Sequence, residues 1–155
     1  LLVACACLGR IWCSVFIAGR KNTQLVRSGP YAALRHPLYA LSMLAMLGLG
    51  LATRSVAITV GLLLVFAVTF VAASRAEDRW LRAAHGDEFD RYAREVQAFV
   101  PRPGRYSVPE SLEVRPRVLW KAFLDAGSLL GLWALLMLAD ALQLAGRTPT
   151  WLTLP

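Results

Sequence analysis

The stretch Val56-Ala57-Ile58-Thr59-Val60-Gly61-Leu62-Leu63-Leu64-Val65-Phe66-Ala67-Val68-Thr69-Phe70-Val71-Ala72-Ala73-Ser74 decides the fold. It carries no charged residue and is close to the ~20 residues with which an α-helix crosses the hydrocarbon of a bilayer. Upstream, a second apolar run extends from Leu38 to about Thr53 and is opened by Pro37, a favourable first helical residue because its missing N–H would have been unpaired anyway. Only Arg54 and Ser55 clearly separate the two runs, so they are expected to form an antiparallel helical hairpin. Gly48 and Gly50 thin the first arm and invite a close neighbour. A further run covers Leu1 to about Ala18. Arg10 interrupts it, and a charge in mid-span is costly unless it faces a protein interior or marks a helix end. A last run extends from about Leu119 to Leu144, with Asp125 near one end and Asp140 near the other. The expected fold is all-α: a polytopic transmembrane helical bundle of about four spans with a short cytoplasmic or interfacial helical segment.

Composition agrees. Of the 155 residues 57% are hydrophobic and 17% charged, and the mean hydropathy is +0.50. A soluble domain of this length carries more charge. The net charge of +7 lies between apolar runs, which points to a membrane surface and not to nucleic acid. The chain is expected to be a single membrane domain over residues 1–155. It opens on Leu1 and not Met, which leaves its natural N-terminus open, and no signal-peptide cleavage pattern is read. Cys5, Cys7 and Cys13 fall in the first apolar run without metal-ligand or redox spacing, and are read as small apolar side chains.

Charge also sets an orientation. Residues 20–36 hold Arg20, Lys21, Arg27 and Arg35 with no acid, and residues 75–121 hold ten basic side chains. The hairpin turn holds only Arg54 and the C-terminal tail only Arg147. The positive-inside rule places both basic segments in the cytoplasm and both chain ends outside. Trp12, Trp120 and Trp151 fall near expected span ends, where interfacial aromatics concentrate. Glu77-Asp78-Arg79-Trp80-Leu81 continues the third helix out of the bilayer, Gly86 breaks it, and Asp87 opens a new helix with acids in its first turn. Trp80, Leu81, Phe89, Tyr92 and Val96 are expected to form an apolar face lying on the membrane, in a segment ended by Pro101 and Pro103. The Ala- and Arg-rich usage points to a bacterial inner membrane.

Two constellations carry chemistry. In Gly29-Pro30-Tyr31…Arg35-His36-Pro37-Leu38-Tyr39 the chain turns sharply at Gly29-Pro30, and His36 then precedes a helix whose unpaired N–H groups suit a carboxylate. Tyr39, three residues on, faces the same side of the first turn. The second is Glu77-Asp78, at the cytoplasmic end of the third run. The hairpin returns it to the level of His36, so His36, Tyr39 and Glu77 converge. On the residues alone, a basic turn-forming anchor with a solvated acid at a helix end is an equal alternative. No HExxH, no Gly-rich phosphate loop and no metal-ligand set is present, which argues against a zinc protease and a nucleotide hydrolase.

The run Leu25-Val26…Gly29-Pro30-Tyr31…Arg35-His36-Pro37-Leu38-Tyr39, followed after a two-helix hairpin by Glu77-Asp78…Leu81…His85-Gly86-Asp87-Glu88-Phe89…Tyr92…Val96…Pro101, resembles the isoprenylcysteine carboxyl methyltransferase and phospholipid methyltransferase superfamily. The resemblance covers about residues 10–103 and leaves the last helix, about 119–144, as an addition. It implies a membrane-embedded methyltransferase using S-adenosyl-L-methionine, with Leu25, Val26, Tyr31, His36, Pro37, Leu38, Tyr39 and Glu77 in contact with the cofactor. It also implies a lipid-soluble or lipid-modified methyl acceptor entering from the membrane lipids. The acidic pair is Glu-Asp where the family has Glu-Glu, and His85-Gly86 stands where it has Phe-Gly. Ala73 stands where the prenylcysteine enzymes carry a substrate-binding Arg, which leaves Arg75 as the nearest basic residue to orient the acceptor. A carboxylate acceptor fits the shortage of bases best, because an amine or thiol must also lose a proton. A phospholipid amine, a small thiol and a non-catalytic membrane scaffold of the same fold are the alternatives. The oligomeric state stays open.

Overall fold

A computed structural model describes residues 1–18, 24–102, 104, 106–112, 114 and 116–144. Arg20, Lys21, Pro103, Arg147 and Trp151 of the sequence reading lie outside the described residues. Six α-helices follow in order, with no strand among the described residues: α1 Leu2–Ile17, α2 Pro30–Ala33, α3 Pro37–Ala52, α4 Val56–His85, α5 Asp87–Glu95 and α6 Pro116–Leu144. The expected helical membrane bundle is what forms.

α1 packs on α3 and α6, and α3 packs on α4, so α1 and α3 form the middle of the bundle with α4 and α6 outside them. Small residues set the spacing. A Cβ at Gly50 would lie 2.8 Å from the Thr59 Cα of α4, and one at Gly48 would meet Val3 of α1. Both glycines therefore serve the close approach their positions suggest. Ala126 of α6 is buried against Val3, Cys7 and Leu49, and the Cys7 thiol donates to its carbonyl at 3.3 Å. The α3–α4 turn is closed by Arg54 at φ 56°, and the Ser55 side chain caps α4 by accepting from the Ile58 N–H. Arg54 also pairs with Asp140 of α6 at 2.9 Å, which joins the hairpin turn to the far end of the last helix.

α4 and α6 are long and apolar enough to cross a membrane, and only 11% and 6% of their apolar windows are buried within the molecule. Val60, Leu64, Val65 and Val68 of α4 and Phe123, Leu135 and Leu138 of α6 are exposed. Apolar surface on this scale is stable in lipid, where a helix satisfies its own backbone. α1 and α3 are shorter, at 16 residues each.

α4 runs unbroken past Glu77 and Asp78 to His85, and Gly86 at φ 50° ends it. α5 then folds back. Its apolar face does not lie on the membrane as expected: Phe89, Tyr92 and Val96 are buried and pack with Leu25, Leu81 and Ala93. Only Trp80 of that expected face is exposed. The reason is polar. The Arg35 guanidinium holds the carbonyls of Ala93 and Val96, and the Tyr92 hydroxyl donates to the Tyr31 carbonyl at 2.7 Å, so α5 is drawn inward onto α2.

Candidate functional site

The site forms where the N-terminal end of α3 and the C-terminal part of α4 meet the connection through α2. Gly29, at φ 59°, turns the chain into α2, and its bare Cα lies where a side chain would run into the ring of Phe16. Backbone bonds then tie this connection to the segment after α5: the Arg35 N–H donates to the Gln97 carbonyl at 3.0 Å, and the Arg102 N–H to Ala33 at 2.8 Å. His36 occupies the N-cap of α3, with Pro37 at the first helical position.

His36 is 4% exposed and lies between two carboxylates. Its Nε2 is 3.0 Å from Asp78 Oδ1 and its Nδ1 is 3.5 Å from Glu77 Oε2. Burial pushes the imidazole toward its neutral form, but hydrogen bonds to Asp78 and Glu77, together with their charges, outweigh burial and hold its pKa above the ordinary 6.5. Asp78 also takes the Arg35 Nη1 at 2.7 Å, while the remaining Arg35 donors reach the Ala93 and Val96 carbonyls. Asp78 therefore clamps both members of the Arg-His pair and connects α3, α4 and α5. Glu77 keeps more freedom, with its side chain 34% exposed against 23% for Asp78. The rings of His36 and Tyr39 lie 5.8 Å apart, and Tyr39 meets Phe70 of α4 edge-on at 4.9 Å.

Two adjoining cavities share a wall made by Ile17, Tyr31, Arg35, His36 and Glu77. The outer one is completed by Leu25, Val26, Trp80, Leu81 and Tyr92, between α4, α5 and the α1–α2 connection. The inner one, of about 280 Å³, reaches into the bundle past Pro37, Leu38 and Tyr39 to Arg10, Ser42 and Phe66. The eight positions Leu25, Val26, Tyr31, His36, Pro37, Leu38, Tyr39 and Glu77 thus all line one cavity or both. Arg75 does not join them. It is exposed on α4 and lines neither cavity, because its place in the helical turn points it away from α3.

Three side chains matter more than the sequence reading indicated. Asp78 was grouped with Glu77 but holds its own place as the clamp. Arg10 reaches from α1 to α3, where its Nη1 donates to the Ser42 hydroxyl and, at 3.4 Å, to the Leu38 carbonyl. This is the protein-interior outcome of the two expected for it, and an arginine inside an apolar run is the signal that could have marked it. Tyr31 is 7% exposed and its hydroxyl has no partner among the described residues. Burial pushes that phenol far above the usual tyrosine range, so it stays an O–H donor. No group of three or more metal-ligating side chains forms among the described residues.

Two relatives match over nearly the whole chain. The cobalt-zinc-cadmium resistance protein CzcN of Cupriavidus metallidurans is 42% identical over 93% of this chain and 66% of its own length. The nickel-cobalt-cadmium resistance protein NccN of Alcaligenes xylosoxydans xylosoxydans is 35% identical over 99% of this chain and 71% of its own length. No solved structure matches. The phospholipid methyltransferase family model matches residues 6–88, which hold most of α1, all of α2 to α4 and every lining residue of the paired cavities but Tyr92. The chain is a membrane protein with a methyltransferase-like fold, and it belongs to the phospholipid methyltransferase family.

Proposed function

We propose that the protein transfers a methyl group from S-adenosyl-L-methionine to a hydrophobic acceptor, with the cofactor reaching from the outer cavity across the shared wall to the first turn of α3 and the acceptor in the deeper part of the inner cavity. The observation that carries this reading is the shared wall of Tyr31, His36 and Glu77 between a cavity beside α5 and a cavity inside the bundle. A polar donor and an apolar acceptor can then meet without either leaving its own medium. The donor set fits the cofactor: Glu77 supplies a carboxylate for its cationic or hydroxyl groups, Leu25, Val26 and Trp80 an apolar and aromatic slot for its base, and the first turn of α3 free N–H groups for its carboxylate.

When bound, the cofactor supplies an activated methyl group, and an acceptor lone pair takes the methyl carbon while the carbon–sulfur electron pair stays on sulfur. The protein's part is alignment and exclusion of water. His36 and Arg35 fix Asp78, and His36 holds Glu77 against the wall from its other nitrogen. His36 is a poor general base, since both ring nitrogens face carboxylates and neither is open to an acceptor. A carboxylate acceptor suits such a site because it loses no proton on methylation. The family match to phospholipid methyltransferases favours a second reading, methylation of a lipid head-group amine. Lipid mass spectrometry of expressing cells separates the two through mono- and dimethylated ethanolamine lipids.

The relatives' names tie them to heavy-metal resistance. On the methyltransferase reading, any such role of this chain runs through a modified membrane component. α1, α3, α4 and α6 together give four spans in a bacterial inner membrane, with the outer cavity toward the cytoplasm. The test is incubation with labelled S-adenosyl-L-methionine and a membrane extract. A labelled lipid-soluble product is expected. Failure of the purified protein to bind the cofactor would instead favour a non-catalytic scaffold of the same fold.

A further inference from the structure

Arg10 lines the inner cavity and has no part in the cofactor reading. It comes from α1 and meets α3 at Leu38 and Ser42, inside the apolar part of the bundle. Both of its partners are neutral, and no carboxylate among the described residues pairs with it. A guanidinium so placed is expensive unless an anion meets it. Its hydrogen bonding is one-sided: Nη1 is taken twice, Nε is buried without a partner, and Nη2 has no bond among the described residues. The free edge, Nε with Nη2, is the edge that grips a carboxylate or phosphate through two parallel bonds. Tyr31 adds an unpartnered hydroxyl from the shared wall of the same cavity.

We propose that Arg10, assisted by the Tyr31 hydroxyl, forms an anion subsite in the inner cavity, and that the acceptor is therefore an acidic amphiphile whose carboxylate or phosphate sits there while its chain lies among Tyr39 and Phe66. This rests on the reading of the inner cavity as the acceptor's. The cofactor's own carboxylate is the rival source of negative charge. It lies beside an ammonium whose natural partner, Glu77, stands on the shared wall, next to the free N–H groups of α3.

The full chain in phosphatidylcholine nanodiscs is photolabelled at pH 8.5 with a diazirine-bearing dodecanoate and with the matching dodecanol, which differ by one negative charge. The acid is expected to label wild type about tenfold more than the alcohol, the ratio that about 1.4 kcal/mol produces. Arg10→Met is expected to abolish that preference and Arg10→Lys to keep part of it. Tyr31→Phe, which removes only the hydroxyl, is expected to reduce it several-fold, and it carries the test if Arg10→Met does not insert. Equal labelling of wild type by acid and alcohol overturns the proposal, as does a preference that survives in both Arg10→Met and Tyr31→Phe. Calorimetry with S-adenosylhomocysteine separates the two readings. Arg10→Met is expected to bind it as wild type does, and a tenfold loss there would assign Arg10 to the cofactor and overturn the acceptor subsite. An Arg10-dependent acid preference in a wild type that binds no S-adenosylhomocysteine would leave the subsite standing and remove the methyltransferase reading instead.

Discussion

His36 is the residue on which the site turns. One imidazole faces two carboxylates of the same α4 turn, so its removal takes a partner from Glu77 and leaves Asp78 held by Arg35 alone. His36→Ala and Glu77→Ala are each expected to weaken S-adenosyl-L-methionine binding about tenfold or more by calorimetry, about 1.4 kcal/mol, while membrane insertion persists because neither residue lies in an apolar run. The same pair sets a pH dependence. The folded-state pKa of His36 is raised, so the stability it contributes is fully present below the unfolded value of about 6.5 and is lost as pH rises through the raised native value. Thermal unfolding in detergent should therefore show a falling Tm on the alkaline side of 6.5. In Asp78→Asn the fall should move to lower pH, and an unchanged profile in that variant would contradict the clamp. Arg35 shows why the adjacent position is not interchangeable with lysine. Its planar group serves Asp78, Ala93 and Val96 at once, which a single ammonium cannot reproduce.

At the scale of elements, the α3–α4 hairpin carries one wall of the site to the other. Its register depends on Gly50, whose missing Cβ lets α3 approach the backbone of Thr59. Gly50→Val puts its side chain against main chain that cannot rotate away, and is expected to cost about 1–3 kcal/mol in stability. Thermal unfolding in detergent reads this directly, and the displaced Glu77 should lower cofactor affinity in the same variant. The hairpin itself was legible, because two apolar runs meet at Arg54-Ser55 with no room for another connection. The placing of α5 was not. Phe89, Tyr92 and Val96 read as a membrane-facing stripe because periodicity reports an apolar face and not what covers it. The cover is Leu25 and Leu81, brought there by Arg35 and Tyr92 across long stretches of chain.

For the whole molecule, the exposed apolar surfaces of α4 and α6 suit a bilayer, and the basic segments beside them carry the proposed orientation. With Cys5, Cys7 and Cys13 replaced by Ser, a cysteine at position 54 should react in intact cells with a membrane-impermeant maleimide, and one at position 79 only after lysis. The reverse pattern would invert the topology and put the outer cavity on the wrong side for a cytoplasmic cofactor. The Arg54–Asp140 pair, at the far end of the bundle from His36, belongs to the side labelled first.

What the sequence determined by itself was the solvent, the helices and the motif whose family resemblance implies the methyl donor. Each is written locally: uncharged runs near twenty residues long, glycine and proline at the breaks, and a motif compact enough to read without a partner. The tertiary structure decided which of the quoted residues face one another. It joined the eight candidate cofactor positions around two cavities, left Arg75 outside both, and made Asp78 a clamp where only its neighbour had been singled out. It also turned Arg10 from an interruption of an apolar run into a charged group with one open edge in the inner cavity. The physical reason is the same in each case. A helix period states which direction a side chain takes from its own axis, whereas the partner it meets depends on the packing of α1, α3 and α4 against one another.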